Sequence, residues 1–322
     1  MATWSTEDLR PHERFDAWLE LRVARHGGGR AELDRAHRAN FHASYSTSMV
    51  GDCVVSHLRT SAYRFSRSAA DIARTPVDRF AIVQQLGDGC VIHPRDSDAL
   101  GIPGGGFSTH FANAPYTLTP IREQDGFHAN IVSFPLARCG SFVTHRDEFG
   151  FRPLAENPGA SSLFGAYFRG FIAQAPHLKG AAAEAAVETL LQLALVARGL
   201  ASTTTEPARD AVRAGQLEAV RQFIARNLAR AELTPARAAQ AVGISVRQLH
   251  LLFEPTGTTF ARYLLAQRLD RARYLLALQP DRAVIDIVLA CGVESQSVFY
   301  RAFRQAFAMT PSDYRDAMRQ DS

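Results

Sequence analysis

Near its C-terminus this chain carries one structural pattern twice. The first copy runs from Leu233 to Glu254 (LTPARAAQAVGISVRQLHLLFE) and the second from Ala283 to Arg304 (AVIDIVLACGVESQSVFYRAFR). Each reads as a short helix, a turn at a glycine (Gly243, Gly292) and a second helix opening on a serine (Ser245, Ser295). In the first copy Ala238, Ala239 and Val242 are small or apolar at helical spacing, so a partner helix can approach closely. Ser245, with Gln248 three residues on, predicts a capping box. Behind it Val246, Leu249, Leu252 and Phe253 share one face, leaving Arg247, His250, Leu251 and Glu254 on the other. In the second copy Ile285, Ile287 and Val288 precede the turn, and Phe299, Ala302, Phe303 and Phe307 form the apolar stripe. Gln296, Ser297, Tyr300, Arg301 and Arg304 then face outward.

Such a helix pair can lay its second helix in the major groove of DNA. One copy alone also describes any two packed helices; two in tandem narrow the reading. Arg and Gln are the side chains that make bidentate contacts to guanine and adenine edges. The segment between the copies agrees. Glu254-Pro255-Thr256-Gly257 breaks the chain, and Phe260 to Leu278 reads as one helix. Its nineteen residues make a rod of roughly 28 Å, near the ~34 Å that separates successive major-groove faces. Charge follows the same division. Residues 213–322 hold 15 Arg against 10 acidic residues, +5, while the whole chain is +4. The basic excess is therefore confined to the proposed DNA module, as phosphate neutralisation requires.

These residues resemble the AraC/XylS family of bacterial transcription regulators. Four blocks carry the likeness: Ala238 to Glu254, Thr256 to Ala277, Ile285 to Ala308 and Thr310 to Arg315 (TPSDYR). The resemblance implies a seven-helix DNA-binding module of two subdomains. It places Arg247, His250 and Leu251 where the first reading helix contacts DNA, and Gln296, Ser297, Tyr300 and Arg301 where the second does, with Arg304 beside them. The chain departs from the family pattern at Val288, Val293 and Ala308, where Ala, Phe and Gly are usual. These departures read as volume trades in a core. Many relatives carry Arg where Leu251 stands, so the first reading helix is expected to make fewer polar base contacts.

The first two thirds read differently. A short helix is expected within Thr3 to Arg25, with Phe15, Trp18, Leu19 and Leu21 as its apolar residues. From Phe41 to Cys139 the pattern turns to short β-type runs: Asp52 to Arg59, Phe80 to Leu86, Tyr116 to Pro120 and His128 to Phe134. Gly87-Asp88-Gly89 and Pro103 to Gly106 are turn signals. Many short strands favour an antiparallel barrel or sandwich. Phe65-Ser66-Arg67, Phe80 to Gly89 and Leu100 to Tyr116 resemble the cupin-like sensing domain that precedes the DNA module in AraC-type proteins, although Gly105 stands where an acidic residue is common. That likeness implies a small-molecule effector. Phe80, Val83, Phe107, Phe111, Tyr116 and Phe134 are the expected apolar lining, and Arg67, His110 and His128 the polar anchors for a small aromatic or aliphatic acid. From Ser162 to Arg198 two helices are expected, with stripes at Leu163, Phe164, Tyr167, Phe168 and Phe171 and at Val187, Leu190, Leu191, Ala194 and Leu195. They either pack on the barrel or form a dimer interface of the kind the family uses.

The expected fold class is α+β: a cupin-like antiparallel β barrel with flanking helices, then an all-α domain with two helix-turn-helix motifs. The expected domains are 1–198 for effector binding and dimerisation, 199–214 as a flexible linker and 215–320 for DNA. The expected function is a sequence-specific transcription regulator, an activator that responds to a small molecule, and not an enzyme. Its expected partners are promoter DNA, the effector, a second copy of the chain and, for an activator, RNA polymerase. No cofactor or metal site is legible, since His93, His110 and His128 are scattered and no His-x-His occurs. The four cysteines (53, 90, 139, 291) form no CxxC and are expected as reduced, partly buried thiols. No apolar stretch long enough for a membrane span is expected, and the location is expected to be cytoplasmic. Two alternatives stay open: a metal-dependent cupin enzyme tethered to DNA, and a constitutive regulator whose barrel only dimerises.

Overall fold

The computed structural model describes residues 2–95, 97–111, 113–122, 124–142, 150–154 and 158–320. The chain divides into two compact units between Val212 and Arg213.

The first unit is built on two antiparallel sheets. Its strands are β1 (Ala2–Ser5), β2 (Arg30–Glu32), β3 (Ala43–Val50), β4 (Cys53–Thr60), β5 (Arg64–Arg67), β6 (Arg79–Gln85), β7 (Gly89–Pro94), β8 (Leu100–Pro103), β9 (Phe107–Phe111), β10 (Tyr116–Pro120), β11 (Phe127–Pro135) and β12 (Arg152–Pro153). One sheet has the order β1-β3-β4-β11-β6-β9-β12 and the other β2-β5-β10-β7-β8. The helices are α1 (Arg14–His26), α2 (Arg35–Arg38), α3 (Ala69–Arg74), α4 (Pro158–Gln174) and α5 (Gly180–Ala197). The four expected β runs become β4, β6, β10 and β11. The short helix expected within Thr3 to Arg25 is α1, which starts at Arg14. Thr3-Trp4-Ser5 instead pairs with Ser44–Ser46 at the sheet edge, where β-branched and aromatic residues suit a pleated surface.

Strand periodicity decides what faces what. In the larger sheet Phe80 pairs with Phe134 and Phe111, while Val83 pairs with Ile131 and Ser108. Successive side chains point to opposite faces. Arg79, Ala81, Val83 and Gln85 therefore turn to the interior cavity. Phe80, Ile82, Phe111, Val132 and Phe134 turn outward and pack with α4 and α5 in one core. A second core lies under α1, where Phe15 and Trp18 meet Phe41, Tyr45, Tyr63 and Phe65.

The apolar stripes of α4 and α5 are largely used in this packing. Phe164, Phe168, Phe171, Val187, Leu190, Leu191, Ala194 and Leu195 are all buried in the first core, while Leu163 and Tyr167 are half-buried. Contrary to expectation, α5 is long and apolar enough to cross a membrane, yet more than half of it is buried inside the protein, as in a core helix. All four cysteines are free and buried.

The span 199–214, expected to be a flexible linker, is helical in its second half. α6 (Glu206–Asn227) begins with Glu206 and Pro207, residues that suit a first turn, and buries Ala208 and Ala211. The second unit continues with α7 (Pro235–Val242), α8 (Val246–Phe253), α9 (Phe260–Leu278), α10 (Val284–Ala290), α11 (Gln296–Phe307) and α12 (Pro311–Gln320). From α6 onward that makes seven α-helices among the described residues. Two apolar clusters organise them. Val220, Ile224, Leu249, Phe253 and Phe260 centre the first, and Leu269, Leu276, Ile287, Phe299 and Phe303 the second. α9 contributes to both. Arg268 of α9 ties it to the end of α6, donating from Nε to the Leu228 carbonyl at 3.2 Å and from Nη2 to that of Arg230 at 2.6 Å.

Candidate nucleic-acid interface and ligand cavity

The two repeats fold as helix-turn-helix units. In the first, the Thr234 hydroxyl caps α7 by accepting from Arg237 N at 3.3 Å, and Gly243 ends it at φ 73°. The predicted capping box forms: Ser245 Oγ accepts from Gln248 N at 3.1 Å, and Gln248 Oε1 accepts from Ser245 N at 2.8 Å. Leu249, Leu252 and Phe253 of α8 are buried, and Arg247, His250 and Leu251 are exposed. In the second unit Gly292 supplies the turn at φ 74°. Ser295 caps α11 from Val298 N at 3.4 Å. Phe299 and Phe303 are buried; Gln296, Ser297, Arg301 and Arg304 are exposed and Tyr300 is half-buried. Arg301 Nε donates back to the Ser297 carbonyl at 3.4 Å.

Counting from the helix starts, Leu251 matches Arg301 and Glu254 matches Arg304. The exposed face of α8 thus balances Arg247 against Glu254, whereas that of α11 carries two arginines. Val246, expected in the core, is instead exposed at the first position of α8, and Val298 is exposed on α11.

The cavity lies wholly in the first unit. It measures about 120 Å³ and is lined mainly by apolar atoms from α1, both sheets and Phe151. Of the expected lining, Val83, His110 and Tyr116 face it. Phe80, Phe107, Phe111 and Phe134 do not, because strand alternation sends them to the α4–α5 core. Arg67 is buried but spent on structure: Nη1 donates to the Gly28 carbonyl and, at 3.3 Å, to Thr75 Oγ1. His128 lies beside Arg59 on the outer strand face, and its pKa is lowered by burial and then by Arg59 and His57. Among the described residues no three His, Cys, Asp or Glu side chains gather as a metal set.

The polar residues that sequence reasoning missed come from α1. Arg22 is buried and donates to the Tyr116 hydroxyl and the Gly27 carbonyl, each at 3.3 Å. His26 and His110 are pushed down to about 3 and about 4, first by burial and then by Arg22. Both rings are therefore neutral at pH 7. The signal available was Arg22 four residues after Trp18, on the same helix face. His110 stacks on Phe151 at 4.3 Å between centroids, with Tyr116 against the same ring at 4.6 Å.

Residues 238–317 match the family described as a helix-turn-helix domain. The transcriptional activator NphR of Rhodococcus sp is 30% identical over 282 residues, covering 86% of this chain and 82% of that protein. The chain belongs to the AraC/XylS family of transcription regulators. The HTH-type transcriptional regulator CdhR of Pseudomonas aeruginosa is 38% identical over 84 residues, 26% of this chain and 25% of its own length. The crystal structure of the AraC-like transcriptional activator CuxR shares the fold, with a TM-score of 0.52 at 19% identity over 90% of this chain and all of that one. This AraC-type protein is thus a DNA-binding regulator of transcription.

Family membership also clarifies Ala308. It is exposed, and it ends α11 in the left-handed region at φ 59°. The glycine usual there answers a backbone need, not the core volume that the sequence reading assigned to it. Val288 and Val293, by contrast, are buried in the second cluster, as a volume trade requires.

Proposed function

We propose that this AraC-type protein is a ligand-responsive transcriptional activator of the bacterial cytoplasm. It reads promoter DNA with α8 and α11, through Arg247, His250 and Leu251 on the first and Gln296, Ser297, Tyr300, Arg301 and Arg304 on the second. A small molecule in the barrel cavity biases that binding, a coupling free energy between two sites. The observation that carries this reading is the presence, in one chain, of two exposed reading helices and a separate, largely apolar cavity with polar anchors. The activating sense is supported by the relative named as an activator. Activation implies contact with RNA polymerase.

The protein acts as a homodimer, as the family resemblance implies. Because the apolar stripes of α4 and α5 are already largely buried, pairing would use their remaining faces.

A reporter driven by the chain's own upstream region, with and without candidate effectors, tests the regulatory reading. Ligand-dependent induction that disappears with Arg301→Ala supports it. Equal expression with and without every effector favours a constitutive regulator.

A further inference from the structure

The first unit buries a cation, Arg22, for which no counter-charge stands among the described residues. The Arg22 guanidinium lies 3.1 Å over the Phe65 ring and meets neutral acceptors, the Gly27 carbonyl and the Tyr116 and Tyr63 hydroxyls. No ion pair to Arg22 is present among the described residues, and no Asp or Glu is among the described residues lining the cavity. A buried guanidinium is costly unless an anion meets it, and neutral acceptors offset only part of that cost. Three further polar atoms of the lining are buried without a hydrogen-bond partner among the described residues: Trp18 Nε1, His26 Nε2 and His110 Nδ1. Each histidine nitrogen can donate in the appropriate tautomer.

Resting on the reading of this cavity as the effector site, we propose that the ligand is a small carboxylic acid with a flat apolar body about one ring in size. Its carboxylate is held by Arg22 and by N–H groups of His26 and His110. The planar fork of a guanidinium matches a carboxylate. The volume of about 120 Å³ is close to that of engineered apolar cavities of ~150 Å³ that take benzene. The stacked His110 and Phe151 rings, with Tyr116 tilted against Phe151, form a wall for a flat body. A doubly charged phosphate ester fits less well. Of the other cations of the lining, Arg25 on α1 is exposed, and Arg79 on β6 already donates to Ser133 Oγ at 3.0 Å and to the Asp52 carbonyl at 3.1 Å.

The test is calorimetric titration and thermal shift of the full-length protein with three acids and their neutral amides: benzoate and benzamide, phenylacetate and phenylacetamide, hexanoate and hexanamide. At least one acid should bind about tenfold or more tighter than its amide, as a charge-assisted contact implies. Arg22→Gln should erase that preference while circular dichroism stays native. Equal or tighter binding of the amides would overturn the carboxylate assignment and leave the effector site standing. If no acid and no amide binds, both the assignment and the cavity's role as effector site fall.

Discussion

The two turn glycines look equivalent in the sequence, and the structure predicts that they respond differently to a single methyl group. Gly243 and Gly292 both sit in the left-handed region, at φ 73° and 74°. An alanine at either position pays about 1–2 kcal/mol for that conformation, offset by roughly 0.5–1 kcal/mol because glycine loses more entropy on folding. At Gly243 a Cβ meets open space, so the net cost of Gly243→Ala should stay near 1 kcal/mol or below. At Gly292 the same Cβ would lie 2.5 Å from the Leu228 carbonyl oxygen and 3.0 Å from the Ala229 carbonyl carbon. These are backbone atoms at the end of α6, and that oxygen accepts from Arg268. Relief means moving the joint between the two apolar clusters and losing a charge-assisted bond worth about 1.5–3 kcal/mol. Gly292→Ala should therefore cost roughly 3 kcal/mol. The assay is urea unfolding of a fragment beginning at Glu206, the first residue of α6, followed by far-UV circular dichroism. With a slope of ~1–2 kcal/mol/M, the Gly292 variant should lose at least about 1 M more of its midpoint than the Gly243 variant. Equal midpoint losses would refute the close approach at Gly292.

Three further outcomes are expected. Ala308→Gly should raise the stability of the same fragment by about 0.5–1 kcal/mol, because it removes left-handed strain; a lower melting temperature would contradict this. Arg301→Ala should cost about 1–3 kcal/mol of binding and relax specificity at one base position, whereas uniform weakening across sequences would mark a phosphate contact. The first unit should lose stability as pH falls from 7.5 to 5. His26 and His110 stay neutral when folded but take protons near pH 6.5 when unfolded, at about 2 kcal/mol each by pH 5. Flat unfolding midpoints between those pH values would show that the two rings are not buried as described.

The reading helices were legible because their signals are local. The Ser245–Gln248 box, the glycine turns and the stripes at Leu249, Phe253, Phe299 and Phe303 all lie within a few residues of one another. The errors there fell where a local rule met a tertiary fact. Val246 fits the apolar periodicity of α8 but stands at its first turn, outside the core. Ala308 reads as a core residue until its φ is known. The cavity was only half legible. Aromatic residues on β6, β9 and β11 were visible, but which strand face is interior depends on register, and sequence alone did not set the parity of Phe80 against Val83. Arg22 and His26 were missed because nothing local says that α1 lines the cavity. Arg67 was misplaced because an arginine looks the same whether it awaits a ligand or ties down the Gly28 and Thr75 carbonyls.

The central claim is that α8 and α11 read two sites on one face of a duplex. Selection of the full-length protein on randomised DNA at moderate salt tests it most directly. The account predicts enrichment of a bipartite motif whose halves lie about 10 base pairs apart, with the half assigned to α11 lost in Arg301→Ala and the other retained. Binding without any enriched motif, or a single motif indifferent to substitutions in both helices, would contradict it.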